Sequence, residues 1–399
     1  MTSVQASPPN SPDTERLLTA QFVLLLAATA AFGLAFSAYF LLPKFLAVEL
    51  SASPATIGGI SAISMFASVL CMPVVGVKVD KQGRKRFGMF GAGLFALSCA
   101  GFLVVEEVGP LLWVLRVFQG AAFTLFYIGS STLATDLAPA RRLGQAIGLF
   151  GAVMISTNAL GPAVAEWAAE AFGWKIVFGA SVVSALGAIV LATFIHEPAP
   201  AHPHDDASGM LQVVRRPGLL RTLSAAILVG CTMGALFTFY QPWALSRDIE
   251  QVSSFLIAFA GCAMVVRVGL GAMADRLGRR RVATVAVFFY VAVPFALIWV
   301  DMFGLFFAGG LLGLSHGMFF PALNAVAVDQ ALPQERGKAM AAYHGAFNVG
   351  FAAGSYFLGY LAQATSYPTI FTVAGGTCFI AFVLLATTPR AAATSSGEV

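Results

Sequence analysis

Charge is what this sequence has least of. Only 11% of its 399 residues are Asp, Glu, Lys or Arg, while 58% are hydrophobic. About a quarter of the residues in a soluble domain are charged, and 23 basic and 19 acidic side chains are too few to cover a soluble chain of this length. The composition therefore excludes soluble enzymes, nucleic-acid-binding proteins and secreted disulfide scaffolds.

Motifs for covalent or cofactor chemistry are also scarce. The five cysteines lie inside apolar runs without metal-ligand spacing, so we interpret them as small buried hydrophobic residues. The sequence has no Gly-x-x-x-x-Gly-Lys-Ser/Thr phosphate loop and no metal cluster or paired nucleophile and base. We expect a protein that is not an enzyme and needs no cofactor or metal, driven by a gradient or by its substrate.

Long apolar runs define the fold class. Runs of about 20 apolar residues are long enough to cross a bilayer as helices. The pattern predicts an all-α polytopic membrane protein with twelve spans, at 18–42, 55–77, 87–105, 111–133, 144–167, 174–195, 221–244, 252–274, 282–300, 303–328, 338–361 and 368–388.

The positions of the basic residues indicate the orientation. Most of the 23 Lys and Arg residues fall in loops on one side of the twelve spans, and such loops are normally cytoplasmic. Both termini are therefore expected in the cytoplasm, and the first apolar run is expected to be a retained span rather than a signal peptide. The predicted organisation is a tail at 1–17, six spans at 18–195, a central loop at 196–220, six spans at 221–388 and a tail at 389–399.

The two halves of the chain repeat each other. A loop of the form Gly-x-x-x-Asp-x-x-Gly-Arg-Lys/Arg-Arg begins at Gly76 and again at Gly271. Asp136 near the end of the fourth span likewise corresponds to Asp329 near the end of the tenth. Two six-span halves related by a parallel repeat would hold a substrate site between them near the membrane midplane.

This doubled loop resembles the signature loop of the major facilitator superfamily of transporters. The resemblance covers the whole chain and implies two six-helix bundles that transport a solute by alternating access. It also implies that the loop acts as a conformational gate, whereas positive-inside topology alone would explain its Arg and Lys but not its Gly and Asp. The predicted gate residues are Gly76, Asp80, Gly83, Arg84, Gly271, Asp275, Gly278 and Arg279.

The gate has a physical rationale. Asp80 and Asp275 follow the ends of their spans, where the helix dipole disfavours an acid. Each needs a partner, either an Arg of its own loop or the N-terminus of a facing helix. Gly76 and Gly271, one turn earlier, would allow another helix to approach closely.

Two ionisable residues inside spans are candidates for proton coupling. Arg116 opens the run Arg116-Val117-Phe118-Gln119-Gly120, which resembles a family motif associated with proton coupling, chiefly in exporters. A charge in hydrocarbon costs several kcal/mol, so Arg116 either faces a cavity or extends to the outer interface. Glu166 either carries a proton when desolvated or reaches the same interface.

The segment before Glu166 resembles the antiporter motif of the family. Gly161-Pro162 is expected to bend the fifth span, since Pro removes one helix hydrogen bond. The usual Gly pair is replaced by Ala165-Glu166, and Thr157 stands where another Gly is expected. The motif therefore departs from the pattern of an exporter.

In this family, spans 1, 4, 7 and 10 line the central cavity. The lining here is mostly aromatic, which suits an amphipathic or lipophilic solute better than a sugar or a phosphate. His316 occupies the position equivalent to Gln119 in the second half. The predicted cavity residues are Phe36, Tyr39, Gln119, Tyr127, Tyr240, Gln241, His316 and Asn324.

Together these features predict proton-coupled efflux of a small organic solute by a secondary transporter. Its expected partners are the solute, protons and the lipid bilayer, and the expected state is a monomer in the cell inner membrane. The alternatives are an importer, working by proton symport or uniport, and a non-transporting receptor on the same fold. No binding of nucleic acid is expected.

Overall fold

A computed structural model describes residues 17–197, 209–269, 277–332 and 335–387, and it contains helices and no strands within them. The helices of the first part are α1 (Ala20–Ala38), α2 (Leu42–Val48), α3 (Pro54–Gln82), α4 (Arg84–Phe102), α5 (Pro110–Asp136), α6 (Leu143–Phe172) and α7 (Trp174–Thr193). Those of the second part are α8 (Met210–Val214), α9 (Pro217–Leu245), α10 (Ser253–Gly269), α11 (Arg279–Ile298), α12 (Met302–Asp329), α13 (Arg336–Ala364) and α14 (Tyr367–Thr387).

The long helices coincide with the predicted spans. Among the described residues, nine helical stretches are long and apolar enough to cross a membrane, with α1 and α2 counted as one stretch. The apolar helix α10 and the long helices α4 and α13 occupy the positions of the remaining spans. The predicted all-α, multi-pass class is confirmed.

The chain forms two compact units. The first unit comprises Met1–Tyr39, Leu70–Val105 and Pro110–Pro203, and the second comprises Phe40–Val69, Glu106–Gly109 and His204–Val399. In the first, α1 packs on α6 and α7, and α4 packs on α5 and α7. In the second, α9 packs on α13 and α14, and α11 packs on α12 and α14. The same pairing of equivalent spans occurs in both units, as the sequence repeat predicts.

Reciprocal glycine pairs hold α9 against α13 in the second unit. Gly230 and Gly234 lie one turn apart on α9, and Gly350 and Gly354 lie one turn apart on α13. A Cβ atom on any of the four would meet a backbone carbonyl oxygen of the facing helix. Such spacing lets two helix backbones approach closely in a bilayer, so these glycines set the distance between the helices.

The equivalent helix pair of the first unit uses small polar residues as well. A Cβ on Gly33 would meet the Thr157 side chain, and a Cβ on Gly161 would meet Ser37. The Ser37 hydroxyl donates to the Thr157 carbonyl oxygen at 2.8 Å. Thr157, which departs from the glycine of the family motif, therefore lies in the contact between α1 and α6. Helix α6 continues through Pro162, and the bend at Gly161-Pro162 stays a prediction.

Two helices begin earlier than their apolar runs indicate. Helices α4 and α11 start at Arg84 and Arg279, whereas the predicted spans start at residues 87 and 282. Gly83 and Gly278 precede these helices with φ of +101° and +92°, a backbone region that favours glycine. The basic residues thus form first helical turns, which a count of apolar residues leaves out.

The first predicted span is interrupted near its C-terminal end. A 3₁₀ turn at Tyr39–Leu41 separates α1 from α2, and Pro43 lies in the first turn of α2. Proline suits a first turn because its missing N–H has no helical partner there, but it breaks the hydrogen-bond pattern of a helix that precedes it. The interruption ends α1 immediately before Tyr39, one of the predicted cavity residues.

Candidate functional site

Arg116 and Gln119 are in direct contact on α5 in the first unit. The Arg116 Nη1 donates a hydrogen bond to the Gln119 Oε1 at 2.5 Å, and the Gln119 side chain is buried. The two residues lie three positions apart, a spacing that places side chains side by side on a helix. Arg116 therefore has a polar neighbour on its own helix.

Tyr39 completes a polar cluster with these residues. Its buried hydroxyl lies close to Gln119 and Cys99 and interacts electrostatically with Arg116. The Tyr39 ring packs edge-on against Phe102, with ring centroids 5.0 Å apart, and stacks on Phe178. Aromatic packing therefore fixes the position of the hydroxyl. We call Tyr39, Arg116 and Gln119 the donor cluster.

An aromatic stack adjoins the donor cluster. Phe36 stacks on Phe123 with centroids 4.4 Å apart, and Phe123 stacks on Tyr127 with centroids 5.5 Å apart. Phe123 and Tyr127 follow Gln119 at successive turns of α5, and Phe36 precedes Tyr39 by one turn of α1. The predicted cavity residues Phe36, Tyr39, Gln119 and Tyr127 therefore form one continuous set in the first unit.

Glu166 is buried on α6, with 4% of its surface exposed. It lies one turn after Pro162 within a continuous helix. Its side chain therefore lies among other residues and does not extend into water. Its role in coupling stays a prediction.

The predicted gate contains the same ion pair in both units. Arg84 Nε lies 2.8 Å from Asp136 Oδ2, and Arg279 Nη1 lies 2.8 Å from Asp329 Oδ1. Each pair joins the first residue of a helix to the last residue of the helix that follows it. The two ion pairs are therefore related by the sequence repeat, and each holds one of the predicted gate arginines.

The other gate residues are described in part. Outside the backbone of its own helix, a Cβ built on Gly76 would meet no described atom within 4 Å, and the close helix approach expected there stays a prediction. Gly83 and Gly278 are the positive-φ residues before α4 and α11. Gly271 and Asp275 lie outside the described residues, and the side chain of Asp80 is not described.

Glu197 is a gate-associated residue that the sequence analysis missed. Its carboxylate accepts hydrogen bonds from the backbone N–H groups of Arg84 at 2.6 Å and Lys85 at 3.2 Å. These N–H groups open a helix and have no partner within it, and a carboxylate is favoured at that end of the helix dipole. The residue follows α7 in the chain, so sequence spacing alone did not connect it with α4.

Gln241 makes structural hydrogen bonds in the second unit. Its Oε1 accepts from the backbone N–H of Lys44 at 3.0 Å, and its Nε2 donates to the Phe40 carbonyl oxygen at 2.6 Å. The Lys44 ammonium donates to the Glu250 carbonyl oxygen at 2.7 Å. Both ends of the fully buried Gln241 amide thus hold the interrupted end of the first span, which limits what remains for substrate contact.

Substitution of Gln241 by leucine should destabilise the protein. The change removes two hydrogen bonds of a buried amide, each contributing about 0.5–1.5 kcal/mol. We therefore expect the free energy of unfolding to fall by about 1–3 kcal/mol. Thermal unfolding of purified Gln241→Leu, compared with Gln212→Leu at an exposed position of α8, measures this. Unchanged stability together with impaired solute binding would instead indicate a substrate contact.

Tyr240 and His316 are surrounded by aromatic rings in the second unit. Tyr240 is fully buried and stacks on Phe255 with centroids 4.3 Å apart. The ring centroid of His316 lies 5.3 Å from that of Phe320 and 5.7 Å from that of Phe347. Among the described residues, the His316 Nδ1 has no hydrogen-bond partner.

Asn324 lies two turns after His316 on α12, and its buried Oδ1 also lacks a partner within the described ranges. Both side chains therefore keep hydrogen-bonding capacity that a solute could use. This is consistent with the prediction that they contact the substrate, which stays a prediction.

A multi-pass helical protein with two repeated bundles and buried polar residues inside its spans belongs to the class of membrane carriers. The sequence profile of the Major Facilitator Superfamily matches residues 23–310 and 250–398. The chain belongs to this superfamily, as its repeated loops predict.

Individual relatives are distant. An uncharacterized MFS-type transporter of Mycobacterium tuberculosis, Rv1250, is 26% identical over 249 residues, covering 55% of this chain and 42% of that protein. The chain thus spans less than half the length of this relative. The multi-drug resistance efflux pump PmrA of Streptococcus pneumoniae is 25% identical over 281 residues, covering 66% of this chain and 69% of the pump. The nucleoside transporter NupG has the same fold, with a TM-score of 0.74 at 14% identity, over 93% of this chain and 100% of that one.

Proposed function

We propose that this transporter exports a small, amphipathic organic solute in exchange for protons. The observation that carries the proposal is the contact between Arg116 and Gln119 inside a membrane-spanning helix. A charged residue in the hydrocarbon region is costly and is retained chiefly where it faces a pathway or a partner. The surrounding rings of Phe36, Phe123 and Tyr127 would accept the apolar part of the solute.

Proton coupling is assigned to Arg116 together with Glu166. Glu166 is the buried carboxyl of α6, and a buried carboxyl can exchange a proton when its surroundings change between two conformations. Resemblance to the efflux pump PmrA supports the outward direction.

The proposal includes the setting of the protein. The distribution of basic residues supports a location of both termini in the cytoplasm, and the cell inner membrane is proposed from the resemblance to bacterial transporters of the superfamily. A monomer is proposed, because each half of the repeat supplies its own helix contacts within one chain. Energy would come from the proton gradient, and the ion pairs at Arg84 and Arg279 would stabilise one conformation of the gate.

Growth of a pump-deficient bacterial host expressing the protein tests this function. A panel of toxic amphiphiles is applied to cells with wild-type protein, Arg116→Ala, or Arg247→Ala, which removes an exposed arginine of the turn after α9 as a control. We expect wild type and Arg247→Ala to raise resistance to some compounds and Arg116→Ala to abolish it at equal membrane levels.

The direction and the coupling are read from the same cells. Collapse of the proton gradient by an uncoupler should remove the resistance conferred by wild type. Sensitisation by the wild-type protein would mean import and would overturn the proposed direction. Resistance that survives both the uncoupler and Arg116→Ala would overturn the proposed coupling.

A further inference from the structure

We infer that the donor cluster of Tyr39, Arg116 and Gln119 binds a carboxylate of the solute, so that the transported class is small amphipathic organic acids. The inference rests on the proposed function and names its substrate class. It uses side chains of the first unit only. It depends on which hydrogen-bonding atoms of these side chains already have a partner.

The Gln119 amide has a fixed orientation with one end in use. Its Oε1 accepts from Arg116 at 2.5 Å, which turns the Nε2 away from the guanidinium. Gln119 is 1% exposed, and across the described ranges its Nε2 has no hydrogen-bond partner. A buried N–H without a completed hydrogen bond is costly, so this donor can take an acceptor from a ligand.

The Tyr39 hydroxyl is in a similar situation. It is 6% exposed and interacts with Gln119 and Cys99, but its oxygen has no hydrogen bond of full geometry within the described residues. Its ring is held by Phe102 and Phe178, so the hydroxyl cannot swing far to find another partner. Two unfilled polar groups therefore adjoin one guanidinium.

The charge of the cluster selects an anion. A guanidinium has donors only and stays protonated in proteins, the Gln119 Nε2 is a donor, and the Tyr39 hydroxyl can donate. A carboxylate has acceptors only and forms short, charge-assisted bonds with such groups. A cationic solute would meet like charge here, and a primary amide would satisfy the donors without neutralising Arg116.

The repeat shows that the fold does not require this arginine. His316 is the equivalent of Gln119, and the residue three positions before His316 is Gly313, where Arg116 stands in the first half. Gly313 is in close contact with α10 at Phe259. The second unit thus packs the same helix with a glycine at that position, and Arg267 of α10 interacts electrostatically with His316. Packing of this helix therefore does not require an arginine at the position of Arg116, which argues for a ligand-related role of that residue.

The aromatic stack supplies the other half of the ligand site. Phe36, Phe123 and Tyr127 continue from the donor cluster along α1 and α5. A solute with its carboxylate at Arg116 would place a ring or a short alkyl chain against these faces. The arrangement therefore fits an acid with an apolar body better than a polyhydroxylated acid.

Binding of matched acid and amide pairs to the purified protein in detergent tests the inference. The probes are benzoate against benzamide and octanoate against octanamide, followed by thermal stabilisation and by intrinsic fluorescence. We expect the acids to bind wild type at least about tenfold more tightly than the amides. Gln119→Glu should lose this preference, because it replaces the free donor with a second carboxylate beside Arg116.

Gln21→Glu is the matched control. It makes the same change from Gln to Glu near the start of α1, where the Gln21 Oε1 accepts from the backbone N–H of His196. It should bind acids as wild type does. Equal binding of acids and amides, or acid binding that survives in Gln119→Glu, would overturn the inference. So would the absence of acid binding by wild type.

The binding and growth experiments distinguish failure of this inference from failure of the proposed function. If the wild-type protein shows no preference for acids but still confers resistance to neutral or cationic amphiphiles in the growth assay, only the substrate class is overturned. Acid binding without transport of any compound would overturn the proposed function and leave the binding site in place.

Discussion

Protein carrying Gly350→Ala and Gly354→Ala together is expected to fail to accumulate as a folded species in the membrane. A Cβ at either position would meet a backbone carbonyl oxygen of α9, at Ile227 and at Cys231. Backbone atoms cannot turn aside as a flexible side chain can, so α9 and α13 would have to separate. Overpacking of this kind costs typically about 1–3 kcal/mol per site, against a total stability of about 5–15 kcal/mol.

Gly345→Ala provides the control on the same helix. A Cβ at Gly345 would have no described atom within 4 Å, and alanine favours helix over glycine by about 1 kcal/mol. Detergent extraction followed by size-exclusion chromatography should recover Gly345→Ala at wild-type yield and little of the double variant. Wild-type recovery of the double variant would mean that α9 and α13 are not held by backbone contact.

These glycines could have been found in the sequence. Both pairs have the Gly-x-x-x-Gly spacing typical of close helix contacts in membranes, and Gly33 and Gly161 lie on the equivalent helices of the first half. The apolar runs and the doubled loop were enough to predict the spans, the pseudo-symmetry and the superfamily. They were not enough to predict helix starts such as Arg84, because polar first turns carry no apolar signal.

The sequence predicted which residues form the candidate site better than it predicted the contacts between them. The sequence identified Arg116 and Gln119 from a motif, and a helical spacing of three explains their contact. Gln241 was predicted to meet the substrate because it is polar inside a span. Its hydrogen bonds to Phe40 and Lys44 depend on where the first span breaks, and that break had not been anticipated from Pro43.

Removal of one carboxylate from each gate ion pair should have very unequal consequences. The side chains of Arg84 and Asp136 are 6% and 21% exposed, whereas those of Arg279 and Asp329 are 41% and 52% exposed. Breaking a buried pair leaves a desolvated charge and costs about 3–5 kcal/mol, while an exposed pair contributes about 0–1 kcal/mol. We expect Asp136→Asn to lower the free energy of unfolding by at least about 2 kcal/mol and Asp329→Asn to change it little.

The two substitutions are chemically identical and lie at equivalent positions of the repeat, so each is the control for the other. Unfolding of the purified variants in the same mixed micelles gives the comparison, and a double-mutant cycle with Arg84→Met isolates the pair itself. Equal losses would show that burial does not set the strength of these pairs. The larger loss at Asp136 would instead make the first-half pair the stronger of the two gate contacts.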